Sequence, residues 1–220
     1  MNYKASLFFF LVVLNFWSFN LKAESVWVKY GNQVFRGVGD AKAISLSESG
    51  VATATGPLSI LWNPARLNSE DIRSFVFAHQ ERFAGAVTFD IFGLDLRQRS
   101  ESNWSLVIIR EAVQGIPKTT DALLYQTGSL DDPKERVLSS NITFFNQSQW
   151  AGVIGFATFR GDWQLGGNTK VLIHQLGQYS GWGIGFDIGA SKRLSKNNVF
   201  GVSLRDVTTS WIVWDLSLIH

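Results

Sequence analysis

The side chains that could perform covalent or metal chemistry are few and scattered. The sequence has no cysteine, which excludes thiolate metal sites, disulfides and cysteine nucleophiles. Its three histidines, His79, His174 and His220, lie far apart and form no His-x-x-x-His pair or other metal-ligand spacing. No Gly-x-Ser-x-Gly motif occurs, so a nucleophilic serine is not indicated. The sequence therefore predicts no enzyme, no catalytic residue, no metal and no cofactor.

Two further groups of residues invite comparison with binding motifs. Asp121, Asp131 and Asp132 lie in one loop-like region, but the glycine and glutamate spacing of an EF-hand is missing. The glycines of Gly181–Gly185 alternate with apolar residues and no helix follows them, unlike a phosphate-binding loop. We expect the acids to be solvated and the glycines to leave space for neighbouring groups.

The first 23 residues have the organisation of a secretory signal peptide. A positive charge in Met1–Lys4 precedes the apolar run Ala5–Phe19, and Ala23 is a small residue at the expected cleavage point. An uncleaved N-terminal anchor is the alternative, although the run is short for a membrane-spanning helix. Export without any cysteine is typical of the envelope of a Gram-negative bacterium. We therefore expect residues 1–23 to be cleaved during export.

Cleavage there leaves a neutral chain. It removes two of the 20 basic residues and none of the 18 acidic ones, so 18 of each remain. A neutral chain without a basic block argues against nucleic acid as a partner. The aromatic content of 14% and the 20 glycines, against 17% charged residues, are typical of β-structure with one apolar environment.

Alternation with a period of two dominates the rest of the chain. In Trp163–His174 one set of alternate positions is largely apolar and the other largely polar, and between Gly181 and Ala190 large apolar residues alternate with glycine and Asp187. Further strands are predicted over Ile72–Gln80, Ala84–Phe92, Trp104–Arg110, Asn141–Asn146, Trp150–Arg160, Val199–Arg205 and Trp211–Trp214. We expect about eight strands in up-and-down order. The segment Glu111–Ser140 lacks a strand pattern and is predicted to be a long extracellular loop.

These features predict an all-β fold, an antiparallel up-and-down transmembrane barrel wall. Such a wall turns apolar residues to lipid and polar or small residues to the lumen. The predicted lumen-facing residues are Lys170, His174, Asp187 and Arg205. The predicted interfacial tryptophans are Trp163, Trp182, Trp211 and Trp214. A soluble β-sandwich, whose strands also alternate, is the alternative architecture.

Three segments resemble the PorV/PorQ family of outer-membrane proteins, which are similar to the FadL fatty-acid channels. The first is Gly37–Leu67, with a small-residue helix from Ala41, the step Gly50-Val51-Ala52, and Trp62-Asn63-Pro64-Ala65 before the first strand. The second is Val113–Leu123, which resembles an Ile-Pro-x-Thr-x-Asp-Ala-Leu loop, and the third is Gly177–Ala190. Together they follow the family's order over about residues 37–214.

The resemblance implies a barrel of about fourteen strands in the outer membrane with an N-terminal helical plug. Residues 24–71 would then form the plug segment and residues 72–220 part of the barrel, with residues 111–140 as the long loop. The implied plug or gate residues are Asp40, Trp62, Asn63 and Pro64. The implied partners are outer-membrane lipid, components or cargo proteins of type IX secretion, and a hydrophobic ligand.

The sequence departs from the family's pattern in several places. Ser47-Glu48-Ser49 replaces a run of glycine and alanine, and Arg66 stands where glycine is usual. About eight strands are predicted instead of about fourteen, and Leu216–His220 is not a strand with a terminal aromatic residue. We therefore expect a C-terminally truncated copy that diverges after Trp214.

Three functions are compatible with these observations. The first is an outer-membrane channel or secretion-associated scaffold, either PorV-like or FadL-like, without covalent chemistry. The second is a secreted soluble β-sandwich that binds a partner. The third is an envelope lipid deacylase inside a barrel, which would need a serine beside His79 or His174. The first is our prediction.

Overall fold

The computed structural model describes residues 33–39, 41–47, 49–67, 74–99, 102–127, 129, 131–207 and 211–215. The predicted signal peptide, Asp40 and the segment 216–220 lie outside this description. The strands are β1 (Phe75–Arg82), β2 (Val87–Arg99), β3 (Ser102–Lys118), β4 (Thr143–Arg160), β5 (Trp163–Leu176), β6 (Tyr179–Arg193), β7 (Val199–Leu204) and β8 (Trp211–Asp215). A short helix, α1 (Ala41–Ser45), precedes them, and single 3-10 turns occur at Gln33–Phe35, Pro57–Leu61, Pro64–Arg66, Thr120–Ala122 and Ser139–Asn141.

The eight strands form one antiparallel sheet. The order β1-β2-β3-β4-β5-β6-β7 follows the chain, so each strand pairs with the next by way of a connection at alternating ends. The predicted all-β, up-and-down arrangement is therefore confirmed. The sheet is not closed, because within the described ranges no pairing joins β1 to β7 or β8. No helix in the same ranges is long and apolar enough to cross a membrane.

The two last strands are halves of one interrupted strand. β7 pairs with Ile188–Arg193 of β6, and β8 pairs with Ser180–Ile184 farther along the same edge of β6. Between them the backbone N–H of Val207 donates to the carbonyl of Phe186 at 2.9 Å, so the chain keeps its direction. The predicted strand from Trp211 is present as β8, but its expected place in the up-and-down order is wrong, because β8 pairs with β6 and not with β7. The left-handed Asp206 (φ 53°) lies between the two halves, which run in the same direction along β6.

The long connection is shorter than predicted. Its first part continues β3 to Lys118, and its partner β4 already begins at Thr143, so the predicted strands at 141–146 and 150–160 are one strand. A register shift between Val113 and Ile116 surrounds Gly115, which has a left-handed φ of 67°. The bulge and the following proline hide the alternation on which the loop boundary was predicted.

The sheet has two different faces. The described residues of 33–67, which we call the inner segment, cover one of them, the inner face. The core between them is fully buried and includes Val34, Leu58, Ile60 and Leu67 of the inner segment and Ile91, Val107, Ile109 and Val153 of the sheet. The opposite, outer face is uncovered by any described residue and carries most of the exposed large apolar side chains. Apolar burial thus joins the inner segment to the sheet and leaves a second apolar surface without a partner.

Candidate functional site

Glycines on the inner face make the close docking of the inner segment feasible. A Cβ at Gly189 would lie 1.9 Å from Oδ1 of Asn63, and one at Gly166 would lie 2.4 Å from the carbonyl carbon of Pro64. Gly93, Gly155 and Gly201 meet Leu58, Ile60 and the backbone at Val51 in the same way. The space left for the inner segment is thus found at Gly189, in the same strand as Gly181–Gly185, for which the expectation of leaving space for neighbouring groups stays a prediction.

Polar side chains of the inner face bind backbone carbonyls of the inner segment. Ser105 donates to the carbonyl of Pro57 at 3.1 Å, and the amide of Asn168 donates to the carbonyl of Ile60 at 2.7 Å. The amide of Gln164 donates to the carbonyl of Leu67 at 2.7 Å. These bonds satisfy carbonyls that would otherwise be buried without partners. Much of the predicted polar face therefore serves to hold the inner segment.

The described plug candidates form the tightest part of this contact. Asn63 is fully buried; its Nδ2 donates to the carbonyls of Val51 (2.8 Å) and Ala190 (3.3 Å), and its Oδ1 accepts from the N–H of Ala65 (3.0 Å). Pro64 occupies the first position of the turn that Asn63 caps. Trp62 is buried and lies where Cβ atoms at Gly39 and Gly50 would be. Asp40, the fourth candidate, lies outside the description.

Lys170 joins three parts of the molecule. Its Nζ lies 2.7 Å from Oδ1 of Asp187 on β6 and 2.6 Å from Oδ1 of Asp206 in the break between β7 and β8. The same Nζ lies 5.2 Å from the ring centroid of Phe35 in the inner segment. The side chains of Lys170 and Asp187 are only 7% and 4% exposed, so this ion pair is shielded from solvent. Asp187 also accepts a hydrogen bond from the backbone N–H of Asp206 at 2.8 Å.

Three of the four predicted lumen residues line one cavity. This cavity of about 400 Å³, which we call the inner cavity, lies between the inner segment and the inner face. Its lining comprises Phe35, Arg36, Ile60, Leu61, Val153, Asn168, Lys170, Asp187, Arg205 and Asp206. Lys170, Asp187 and Arg205 are thus brought together. His174 lies on the same face of β5 outside the lining, with its ring 3.3 Å from the side-chain amide of Gln149.

The outer face carries a continuous apolar band with a sharp polar boundary. At one end of the strands, neighbouring outer positions change from apolar to polar on six successive strands: Phe77 to His79, Phe92 to Asp90, Ile108 to Arg110, Trp150 to Ser148, Ile173 to Gln175 and Trp182 to Ser180. The pairing register aligns these changes across β1, β2 and β3 and again across β4, β5 and β6, with a step of two residues between β3 and β4, where Arg110 lies opposite Trp150. Single-residue alternation could predict each face, but not this alignment.

Tryptophan and a basic side chain meet at both ends of the band. At the polar boundary, Arg110 lies over the ring of Trp150 (5.8 Å) and donates to Asp90 at 3.2 Å. At the other end, Lys192 lies over the ring of Trp163 at 5.6 Å. Trp163 and Trp182, two of the predicted interfacial residues, are exposed on the outer face. The side chains of Trp211 and Trp214 are not described.

The loop between β3 and β4 is organised by Glu135, which the sequence analysis missed. Its carboxylate accepts from the backbone N–H groups of Tyr125, Thr127 and Arg136 and from the hydroxyl of Thr127, at 2.7–3.1 Å. Desolvation acts to raise the pKa of Glu135, but these four donors outweigh it and lower the pKa to about 2. The sequence carries no signal for this role of Glu135, because its hydrogen-bond partners are mostly backbone groups.

The described residues contain no group of three or more His, Asp or Glu side chains that could hold a metal ion. In the inner segment, burial and the neighbouring Arg193 lower the pKa of Arg66, whose Nη1 donates to Ser191 at 3.3 Å. Comparison with known proteins gives no match to a family model, a curated protein or a solved structure.

Proposed function

We propose that the chain forms part of the wall of an outer-membrane β-barrel. The observation that carries the proposal is the two-sided sheet, with the inner segment packed on a mixed apolar and polar face that contains glycines, and an exposed apolar band on the other face. In lipid such a band is stable because it faces hydrocarbon, whereas in water it would be an unusually large exposed apolar surface. The outer-membrane lipid is the partner of this face.

The dimensions of the band support this proposal. On β5 the outer positions run from Trp163 to Ile173, about 34 Å along the strand at the usual rise per residue. A strand tilt of about 40° reduces this to about 26 Å along the membrane normal, close to the apolar height of bacterial barrels. The tryptophans and basic side chains at its ends are typical of membrane interfaces.

The role of such a wall is that of a channel or a secretion-associated scaffold, without covalent chemistry. The inner segment is its plug, since it occupies the inner face from Gly93 on β2 to Gly201 on β7. Any passage on this side uses the inner cavity or displaces the segment. PorV-like binding of secretion components or cargo proteins and FadL-like transport of a hydrophobic ligand are both consistent with this arrangement.

The two edges of the sheet need partners in this environment. Unpaired backbone groups are strongly unfavourable in hydrocarbon, so a membrane wall must be closed. Under this proposal further strands pair with the outer edge of β1 and with the edge formed by β7 and β8. The long loop lies at the end of the strands that carries Arg110, and we assign that end to the cell exterior.

Native membranes provide the test. We expect the protein to stay in the membrane through carbonate extraction and to need detergent for release. An unheated denaturing gel should show a compact form that shifts on heating, detected with an antibody to residues 24–66. A band well above 24.6 kDa would identify a longer chain that completes the barrel. Release by carbonate with no heat shift would contradict the proposal and favour the secreted β-sandwich.

A further inference from the structure

We propose that the inner cavity binds an oxyanion between Arg36 and Arg205. Both arginines line the cavity, one from the inner segment and one from the break between β7 and β8. The inference concerns a binding site and does not require the barrel to be closed. It can therefore be tested independently of the membrane location.

Among the residues that the structure describes, these two arginines have no counter-ion in the cavity. Lys170 is matched by Asp187 and Asp206, the only acidic side chains in the lining. Neither Arg36 nor Arg205 makes an ion pair with any residue that the structure describes. Three positive and two negative side chains give the lining one net positive charge. A single anion would neutralise it.

The two arginines are attached to fixed parts of the backbone. Arg36 follows Val34 and Phe35 in a 3-10 turn, where its N–H donates to the carbonyl of Gln33 at 2.9 Å and Val34 is fully buried. Arg205 precedes Asp206, whose N–H and carboxylate are held by Asp187 and Lys170. Their backbone positions are therefore set before a ligand arrives, and binding has to order only the two exposed side chains.

The ligand class follows from guanidinium chemistry and from the cavity walls. Guanidinium groups recognise planar or tetrahedral oxyanions through paired N–H donors, and carboxylates and phosphates both fit this pattern. Ile60, Leu61 and Val153 form apolar walls beside the charges, and such surroundings strengthen electrostatic attraction by excluding water. We therefore infer a carboxylate or phosphate group bound beside an apolar surface.

Calorimetry of the full chain in detergent micelles tests this inference. Inorganic phosphate and benzoate are titrated separately at constant ionic strength set with KCl. We expect saturable binding of at least one anion, weakened about tenfold or more in Arg36→Gln and in Arg205→Gln, since each loses a charge-assisted contact. Tighter binding of phosphate would identify a phosphate site, and tighter binding of benzoate a carboxylate site with an apolar neighbour.

Arg193→Gln is the matched control. It removes the same charge from the inner face, but Arg193 does not line the cavity, so binding should be unchanged. Unfolding curves of all variants check that the fold is retained. Three results would overturn the inference: no saturable binding of either anion, unaltered binding in the Arg36→Gln, Arg205→Gln double variant, or an equal loss in Arg193→Gln.

Discussion

At the residue scale, Asn63 uses its whole side chain within the contact between inner segment and sheet. Both ends of its amide form hydrogen bonds. Its nitrogen donates to the carbonyls of Val51 and Ala190, and its oxygen accepts from the N–H of Ala65. Asparagine is suited to this position because it donates and accepts at once. An aspartate of the same shape would place a negative charge against two carbonyl oxygens.

We expect Asn63→Ala to lower the free energy of unfolding by about 2–3 kcal/mol, because buried carbonyls lose their donor. Asn63→Asp should cost more, since it adds repulsion in a buried site. Urea titrations in micelles measure both, and Asn197→Ala, in the exposed β6–β7 turn, is the control. An aspartate variant as stable as the native protein would show that the amide bonds contribute nothing.

We expect the stability of the loop between β3 and β4 to depend on pH through Glu135. Its pKa is lowered from 4.5 to about 2 in the folded loop, so the folded loop favours the charged form. This stabilisation is complete above pH 4.5 and is lost as the pH falls toward 2. Hydrogen exchange of peptides covering residues 124–138, corrected for intrinsic rates, should show protection that declines over that interval. Glu135→Gln should be unprotected already at neutral pH, whereas Asp131→Asn, an exposed loop acid, should behave as the native chain.

At the scale of elements, the strands were predictable where apolar and polar residues alternate at every position. β5 and β6 alternate without interruption, and their observed bounds contain the predicted strands. The extension of β3 was not predictable because the bulge at Gly115 and Pro117 interrupts alternation, although the backbone pairing with β4 resumes at Ile116. β8 was predicted as an element but not with its partner, since alternation carries no information about which edge a strand joins.

The docking of the inner segment was predictable only in outline. The alternating glycines predicted space beside the sheet for neighbouring groups. The plug residues were predicted from the family resemblance alone. The contact between Asn63 and β6 joins residues 127 positions apart, and no local pattern specifies such a pair. The same holds for the inner cavity, where Asp206 enters through a strand break that periodicity does not reveal.

A pair of strand glycines tests whether this docking is as tight as the geometry indicates. We expect Gly189→Ala to destabilise the protein by about 1–3 kcal/mol, because its Cβ would overlap the side chain of Asn63. Gly152→Ala is the control: the Cβ would have no neighbour within 4 Å, and alanine is slightly favoured over glycine in a strand. Equal unfolding free energies for the two variants would contradict the prediction. They would mean that the inner segment shifts to accommodate the added methyl group at little cost.

At the scale of the whole molecule, both faces of the sheet carry apolar residues, which distinguishes it from a soluble one-sheet domain. A soluble sheet buries its apolar face and exposes a polar one, whereas this sheet covers a mixed face of apolar and polar residues with the inner segment and leaves the other face largely apolar. The covered face and the inner segment together form a small apolar core, in addition to the outer band. The proposed membrane wall requires these two apolar regions, one in the protein interior and one that would face lipid.

Charge placed in the middle of the band distinguishes these environments. Ile154 is 43% exposed on the outer face of β4, between Trp150 and Phe156. In a bilayer Ile154→Arg should lower the free energy of unfolding by about 2–4 kcal/mol, the range for arginine near the midplane of a barrel. Gln175→Arg lies on the same face beyond the polar boundary and should cost about 1 kcal/mol or less. Both values come from urea titrations in lipid vesicles. In water both positions are exposed, so a soluble protein would tolerate both substitutions equally. A common small effect would thus place the band in solvent, and a difference that grows with bilayer thickness would place it in lipid.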